Sequence, residues 1–253
     1  MLKGSGATIQ AQGARGYSSN RAGGGGGRVA LTCTSSVYSG GTWAGWTDVP
    51  TIKIGGGGTG HGSYPHYAAG GGTAYVDCGA ADNALVVSNS ASGWVGNYET
   101  KIVDAGVTSF SFDQVVALNS ARLTIAPTGL YDGQEVVVSC SSYGGDGSGT
   151  FHIRKPVKLV SNVATATVLG LRLSLEHDSA INGVSELILG KVSDGPVEAV
   201  KGYLRLVNAN ITSMQTLRIV NGAMEVHGTT GIHLVTFELA TAGTVLGTGF
   251  SHT

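Results

Sequence analysis

From about Ala84 onward the chain alternates apolar and polar positions in short runs. They include Ala84–Val87, Arg122–Ile125, Glu135–Val138, Leu171–Leu175, Glu186–Leu189, Leu204–Val207, Leu217–Val220 and His233–Leu239. Each run is rich in β-branched residues or leucine, and turn-forming pairs such as Asp132-Gly133, Asn182-Gly183, Asp194-Gly195 and Asn221-Gly222 bound several of them. Alternation with a period of two predicts strands with one face in a core. No long segment carries a helical period, so the expected fold class is all-β.

Before Ala84 the chain writes one pattern twice. Thr8-Ile9-Gln10-Ala11 leads through glycine-rich sequence into Gly23–Gly27 and Arg28-Val29-Ala30-Leu31-Thr32-Cys33. Thr51-Ile52-Lys53-Ile54 leads through more glycine into Gly70–Gly72 and Thr73-Ala74-Tyr75-Val76-Asp77-Cys78. The offset is 43 residues at the threonines (51 minus 8) and 45 at the cysteines (78 minus 33). A repeat of strand, glycine loop and strand predicts stacked, similar units. The Leu-Arg-(Leu/Ile) triplets at 171, 204 and 217 follow the irregular rhythm of coils with variable loops. The expected architecture is therefore a right-handed parallel β-helix, a β-solenoid with glycine-rich loops. Residues 1–80 form its double repeat and residues 81–253 its body. A β-sandwich gives the same local signals but does not explain the repeat.

Composition sharpens this picture. Glycine supplies 42 of 253 residues and charged residues only 12%, yet 42% of the chain is hydrophobic and mean hydropathy is +0.15. Such a chain buries a core and uses Ser, Thr, Asn and Gly as its polar surface. The glycine runs are expected to be ordered and packed against neighbouring backbone, since flexible linkers would not each lead into a matched strand. The net charge of −1 and the absence of any basic run argue against a nucleic-acid partner. No uninterrupted apolar stretch reaches the roughly 18 residues of a membrane-spanning helix. The first residues carry no apolar signal segment and run almost at once into the repeat, as expected of a piece of something longer.

Candidate chemistry is sparse. Gly55-Gly56-Gly57-Gly58-Thr59-Gly60 satisfies G-x-G-x-x-G, but His61-Gly62-Ser63-Tyr64-Pro65 cannot open the helix a pyrophosphate needs. His61 and His66 are weak metal candidates, short of ligands unless Asp77 or Cys78 joins them. Gly144-Gly145-Asp146-Gly147-Ser148-Gly149 is a solitary half of a calcium-binding turn and reads as a plain loop. Stacking of the repeat would bring Cys33 and Cys78 within reach of a disulfide, leaving Cys140 as the odd thiol. Trp43 and Trp46, with Tyr64, are candidates for stacking on sugar rings, against the plainer reading that the tryptophans cap a core. The best polar cluster for acid–base chemistry is Asp146, His152, Arg154 and Lys155, with Asp132 near in sequence. No nucleophile elbow, zinc-protease helix or P-loop is present, and no cofactor is expected.

The glycine-rich pattern at residues 7–78 resembles segments of very large bacterial cell-surface and secreted proteins. Leu217–Val226 and Gly243–Gly249 resemble successive rungs in the passenger β-helices of autotransporter adhesins. The resemblance implies an extracellular or cell-surface bacterial scaffold, structural or adhesive and non-catalytic. Its expected partners are further copies in an oligomer or fibre, flanking domains of a longer chain, or surface glycans. The alternatives are a polysaccharide-active β-helix enzyme, lyase or glycoside hydrolase, and a phage tailspike-type shaft. On the scaffold reading, alanine at Asp146 and Arg154 changes neither stability nor any activity. Solenoid ends without caps are expected to pair head to tail.

Overall fold

The computed structural model describes residues 8–13, 25–32, 51–54, 71–77, 83–89, 99–102, 107–125, 135–154, 157–161, 164–177, 179–192, 200–211 and 214–248. Every regular element among the described residues is a strand. The chain divides into two compact units, Met1–Thr100 with Val116–Arg122, and Lys101–Val115 with Leu123–Thr253.

In the first unit the written repeat is a physical stack. Strand β1 (Thr8–Gln10) lies beside β3 (Thr51–Lys53), while β2 (Arg28–Thr32) lies beside β4 (Gly72–Asp77). Both pairs are parallel. Thr8 faces Thr51 and Arg28 faces Thr73, so the registers reproduce the sequence offsets of 43 and 45. The two copies also share an internal bond. Gly27 N–H donates to the Ala11 carbonyl at 2.6 Å, and Gly72 N–H donates to the Ile54 carbonyl at 2.7 Å. A Cβ on Gly26 or Gly72 would fall 2.0 or 2.2 Å from the Ile54 carbonyl oxygen, which explains glycine at these approaches. The expectation of ordered, close-packed glycine therefore holds at Gly26, Gly27 and Gly72. Ile54, Ala74, Val86 and Val116 are buried together, with Ala11, Val29 and Leu118 packed against them.

The strand after β4 departs from the all-parallel expectation. Strand β5 (Asn83–Ser88) runs antiparallel to β4, with Asp77 facing Asn83. About five residues join the two strands, enough for a reversal but far fewer than the dozen or more of a parallel crossover. Strands β6 (Glu99–Ile102), β7 (Ser109–Leu118) and β8 (Arg122–Ile125) follow.

The second unit continues through β9 (Val136–Arg154), β10 (Val157–Val160), β11 (Thr165–Glu176), β12 (Ala180–Asn182), β13 (Glu186–Leu189) and β14 (Gly202–Val207). It ends with β15 (Asn210–Ile211), β16 (Thr216–His227), β17 (Gly231–Ile232) and β18 (Thr236–Thr248). These strands pair in three parallel ladders, which the chain visits in the same order five times. In the first ladder Val138, Leu159, Ile181, Ile211 and Ile232 are successive register partners. The second stacks Tyr143, Val168, Leu189, Ile219 and Leu239. The third stacks Phe151, Leu173, Leu204, Met224 and Val245. Successive partners are about 20 to 25 residues apart, and about 30 where the segment between β13 and β14 intervenes. Buried and less buried positions alternate in β14 and along the ends of β9 and β16, as the sequence periodicity predicts. The triplets at 171 and 204 are both in the third ladder, whereas Leu217-Arg218-Ile219 is in the second, which accounts for their uneven spacing.

The corners show where sequence punctuation misleads. Asn221-Gly222 predicts a strand end, yet β16 runs through it. Both residues keep register partners, Ala242 and Gly243, so the strand bends without stopping. Gly222 has φ 131°, which allows the bend. Gly190 leaves the second ladder with φ 77°, and a Cβ there would fall 1.9 Å from the Asn221 carbonyl oxygen. At the exit from the third ladder, His177 (φ 53°), Asn208 (φ 48°) and Gly228 (φ 68°) take the same left-handed turn in consecutive passes. His177 N–H donates to the Val207 carbonyl at 3.0 Å, and Asn208 N–H to the His227 carbonyl at 3.1 Å.

Two substitutions test this arrangement. Leu173→Ala removes one layer of a fully buried stack and should cost about 2–5 kcal/mol in urea unfolding. Gly190→Ala adds left-handed strain and a backbone clash, and should cost at least about 3 kcal/mol.

Candidate functional site: the outer face of the third ladder

The outward positions of the third ladder form a grid of polar side chains. In register they read Thr150, Arg172, Tyr203 and Ala223; then His152, Ser174, Arg205 and Glu225; then Arg154, Glu176, Val207 and His227. Strand alternation sends these residues to the side opposite the leucine stacks.

Glu176 is the centre of the grid and is only 8% exposed. Its Oε2 accepts from Arg154 Nε at 3.1 Å. Its Oε1 accepts from Ser174 Oγ at 3.1 Å and from Arg205 Nη1 at 3.2 Å. His152 Nδ1 lies 3.5 Å from the same oxygen. Burial pushes the Glu176 carboxyl up. The hydrogen bonds from Arg154 and Ser174 and the charges of Arg154 and His152 outweigh that burial and hold it below its ordinary 4.5. Arg205 turns its Nε toward Glu225 Oε2 at 3.7 Å, and Arg172 Nη2 and His227 Nε2 each lie 3.9 Å from Glu225. The Arg172 guanidinium sits 5.7 Å from the centre of the Tyr203 ring. Three arginines thus share two glutamates across four passes of the chain.

A smaller ion-pair column decorates the second ladder. Arg218 is 3.4 Å from Glu186 Oε1 and donates through Nε to Glu238 Oε2 at 2.7 Å.

Of the sequence candidates, His152 and Arg154 do converge, on Glu176 and not on Asp146. Asp146 is exposed and folds back locally, its Oδ1 accepting from Ser148 N–H at 3.0 Å and Ser148 Oγ at 2.6 Å. Residues 144–149 are not a free loop. They run inside β9, with Gly144 facing Leu169 and Gly149 facing Leu171, so the intervening residues bulge from the ladder. Cys140 is buried, and burial pushes its thiol up to about 12, which leaves it protonated and unreactive at neutral pH. Cys33, Trp43, Trp46, His61, Tyr64, His66, Cys78, Asp132 and Lys155 lie outside the described residues. Among the described residues no group of three or more His, Cys, Asp or Glu side chains is placed to hold a metal ion.

Glu176, Arg205, Glu225 and Tyr203 escaped sequence reasoning. They stand 20 to 70 residues or so from His152, and only the ladder period brings them together. With the arginines engaged, Glu176 is an ionised acceptor at neutral pH and not a proton donor, so the grid chiefly holds adjacent passes together. Comparison with protein families, with characterised proteins and with solved structures finds no match to this chain.

The geometry revises one expectation. Arg154→Ala removes a charged hydrogen bond to a buried carboxylate and should cost about 1–3 kcal/mol, while Asp146→Ala should stay within about 0.5 kcal/mol.

A pH test follows for Glu176. Its folded-state value is depressed, so its contribution is complete above 4.5 and is lost as pH falls through the folded value. Glu176→Gln should lower the melting temperature at pH 7 and reduce the further loss on acidification to pH 3. Parallel melting curves with the same acid sensitivity in parent and variant would contradict this assignment.

Proposed function

We propose that the second unit is a right-handed parallel β-helix and that the chain serves as a non-catalytic structural or adhesive scaffold. The observation that carries this reading is the register: three parallel ladders, visited in fixed order, with apolar residues on apolar residues at steps of about 20 to 25 residues, and about 30 across the segment between β13 and β14. The hand follows from the strong right-handed preference of parallel crossovers. The first unit supports the same principle, because its repeat stacks at the sequence offset.

The chemistry of the outer face favours a scaffold over an enzyme. Polysaccharide cleavage by paired carboxylates needs one held protonated as general acid. Glu176 is held the other way, between Arg154 and Arg205. An extracellular or cell-surface bacterial setting, in a fibre or a larger surface protein, rests on the resemblance of residues 7–78 and 204–249 to such proteins.

Deleting residues 210–230 tests the solenoid. Asn210 and Gly231 are register partners, so the cut removes one pass and leaves every stack in phase. The shortened chain should keep its β-type circular dichroism and melt cooperatively at a lower temperature. Unfolding would remove the reading, because a sandwich loses central strands by such a cut whereas a solenoid loses one repeat. Incubation with pectin, alginate and chitin should release no reducing or unsaturated ends. Depolymerisation that disappears in Glu176→Gln would replace the scaffold with the enzyme.

A further inference from the structure

Asparagine followed by glycine occurs twice in this chain, at Asn182-Gly183 and at Asn221-Gly222. Asparagine is a chemically labile side chain. A glycine after it removes the Cβ that would shield the next backbone nitrogen. That nitrogen attacks the asparagine Cγ wherever the main chain is free to swing the two atoms together. As dipeptides the two sites are chemically the same, and the fold makes them different.

The peptide between Asn221 and Gly222 is wedged between neighbouring passes. It lies inside β16, and Gly222 has a register partner on each side, Gly202 in β14 and Gly243 in β18. A Cβ on Gly222 would fall 1.9 Å from the Gly202 carbonyl oxygen, and one on Gly190 would fall 1.9 Å from the Asn221 carbonyl oxygen. Rotating this peptide would drive it into backbone and break ladder hydrogen bonds to the adjoining passes.

The other pair sits at a corner. Strand β12 ends at Asn182, which is half-buried on the outward side of the first ladder, in register with Val160. Gly183 lies beyond the strand and is exposed. Its φ is 70°, and a Cβ added to it would meet no described atom within 4 Å. Glycine moves through this region without strain, so the peptide can turn while β12 stays in its ladder.

We propose that Asn182 is a site of spontaneous modification in the folded chain, cyclising onto the Gly183 nitrogen and deamidating, and that the fold protects Asn221. Hydroxide takes the Gly183 amide proton, and the nitrogen bonds to Asn182 Cγ. The Cγ–Nδ2 bond breaks, and the amide leaves as ammonia with a proton from water. Water then opens the succinimide ring at either of its carbonyls, leaving aspartate or isoaspartate at position 182. The product puts a new carboxylate at the exit of the first ladder. Its isoaspartate form also lengthens the main chain by one carbon, at a corner with room for it. The inference stands on the corner geometry and is independent of the scaffold reading.

Ageing the folded chain at mildly alkaline pH and mapping its peptides by mass tests this. Asn182 should convert at least about tenfold faster than Asn221, the factor that ~1.4 kcal/mol of local opening supplies. In guanidinium chloride strong enough to unfold the chain, the two sites should convert at similar rates. Hydroxylamine, which cleaves the succinimide, should cut the folded chain between Asn182 and Gly183 and the unfolded chain at both pairs. Comparable conversion of the two sites in the folded chain, or an Asn182 that stays intact until the chain unfolds, overturns the proposal.

Discussion

A parallel strand pair leaves half its hydrogen-bonding groups and one row of side chains for the next strand to cover, and the rest of this molecule depends on that demand. Each pass through the three ladders is a poor structure by itself. It becomes stable when the following pass arrives in phase, with Leu204 over Leu173 and Ile211 over Ile181. The inward rows are therefore apolar, and the corners take glycine or a left-handed Asn or His. Bends are tolerated inside continuous strands because stopping one would break a ladder.

The outer face obeys the same constraint with charges. Arg154, Glu176, Arg205 and Glu225 come from four consecutive passes, and each ion pair crosses from one pass to another. A buried carboxylate without these partners would be costly, so the grid is a condition for placing Glu176 where it is. The arginines that stabilise the stack also keep that carboxylate ionised. A face so engaged serves mechanical continuity better than proton transfer, and this links the packing to the proposed scaffold role.

Glycine has two uses here. In the first unit it lets two backbones approach where any side chain would collide, at Gly26 and Gly72. In the second unit it turns the chain, at Gly190 and Gly222. Low charge content fits both, because the stack needs small polar residues between ladders more than it needs a charged surface.

Much of the fold was legible in the sequence. Strands at Arg122–Ile125 and Glu186–Leu189 were readable to the residue because alternation is local. The offsets of 43 and 45 were readable because a stacked repeat copies its register into the numbering. The antiparallel turn into β5 and the passage of β16 through Asn221-Gly222 were not, since both depend on what lies beside the strand. The candidate site was half visible: His152 and Arg154 stood out, but Asp146 was the wrong companion. Their true partner is Glu176, 22 residues beyond Arg154 and facing it in the ladder. Periodicity, composition and the repeat are properties of the chain and determined the strands and their stacking. Which charges meet is decided by the length of each corner and bulge, and only the assembled ladders set those lengths against one another.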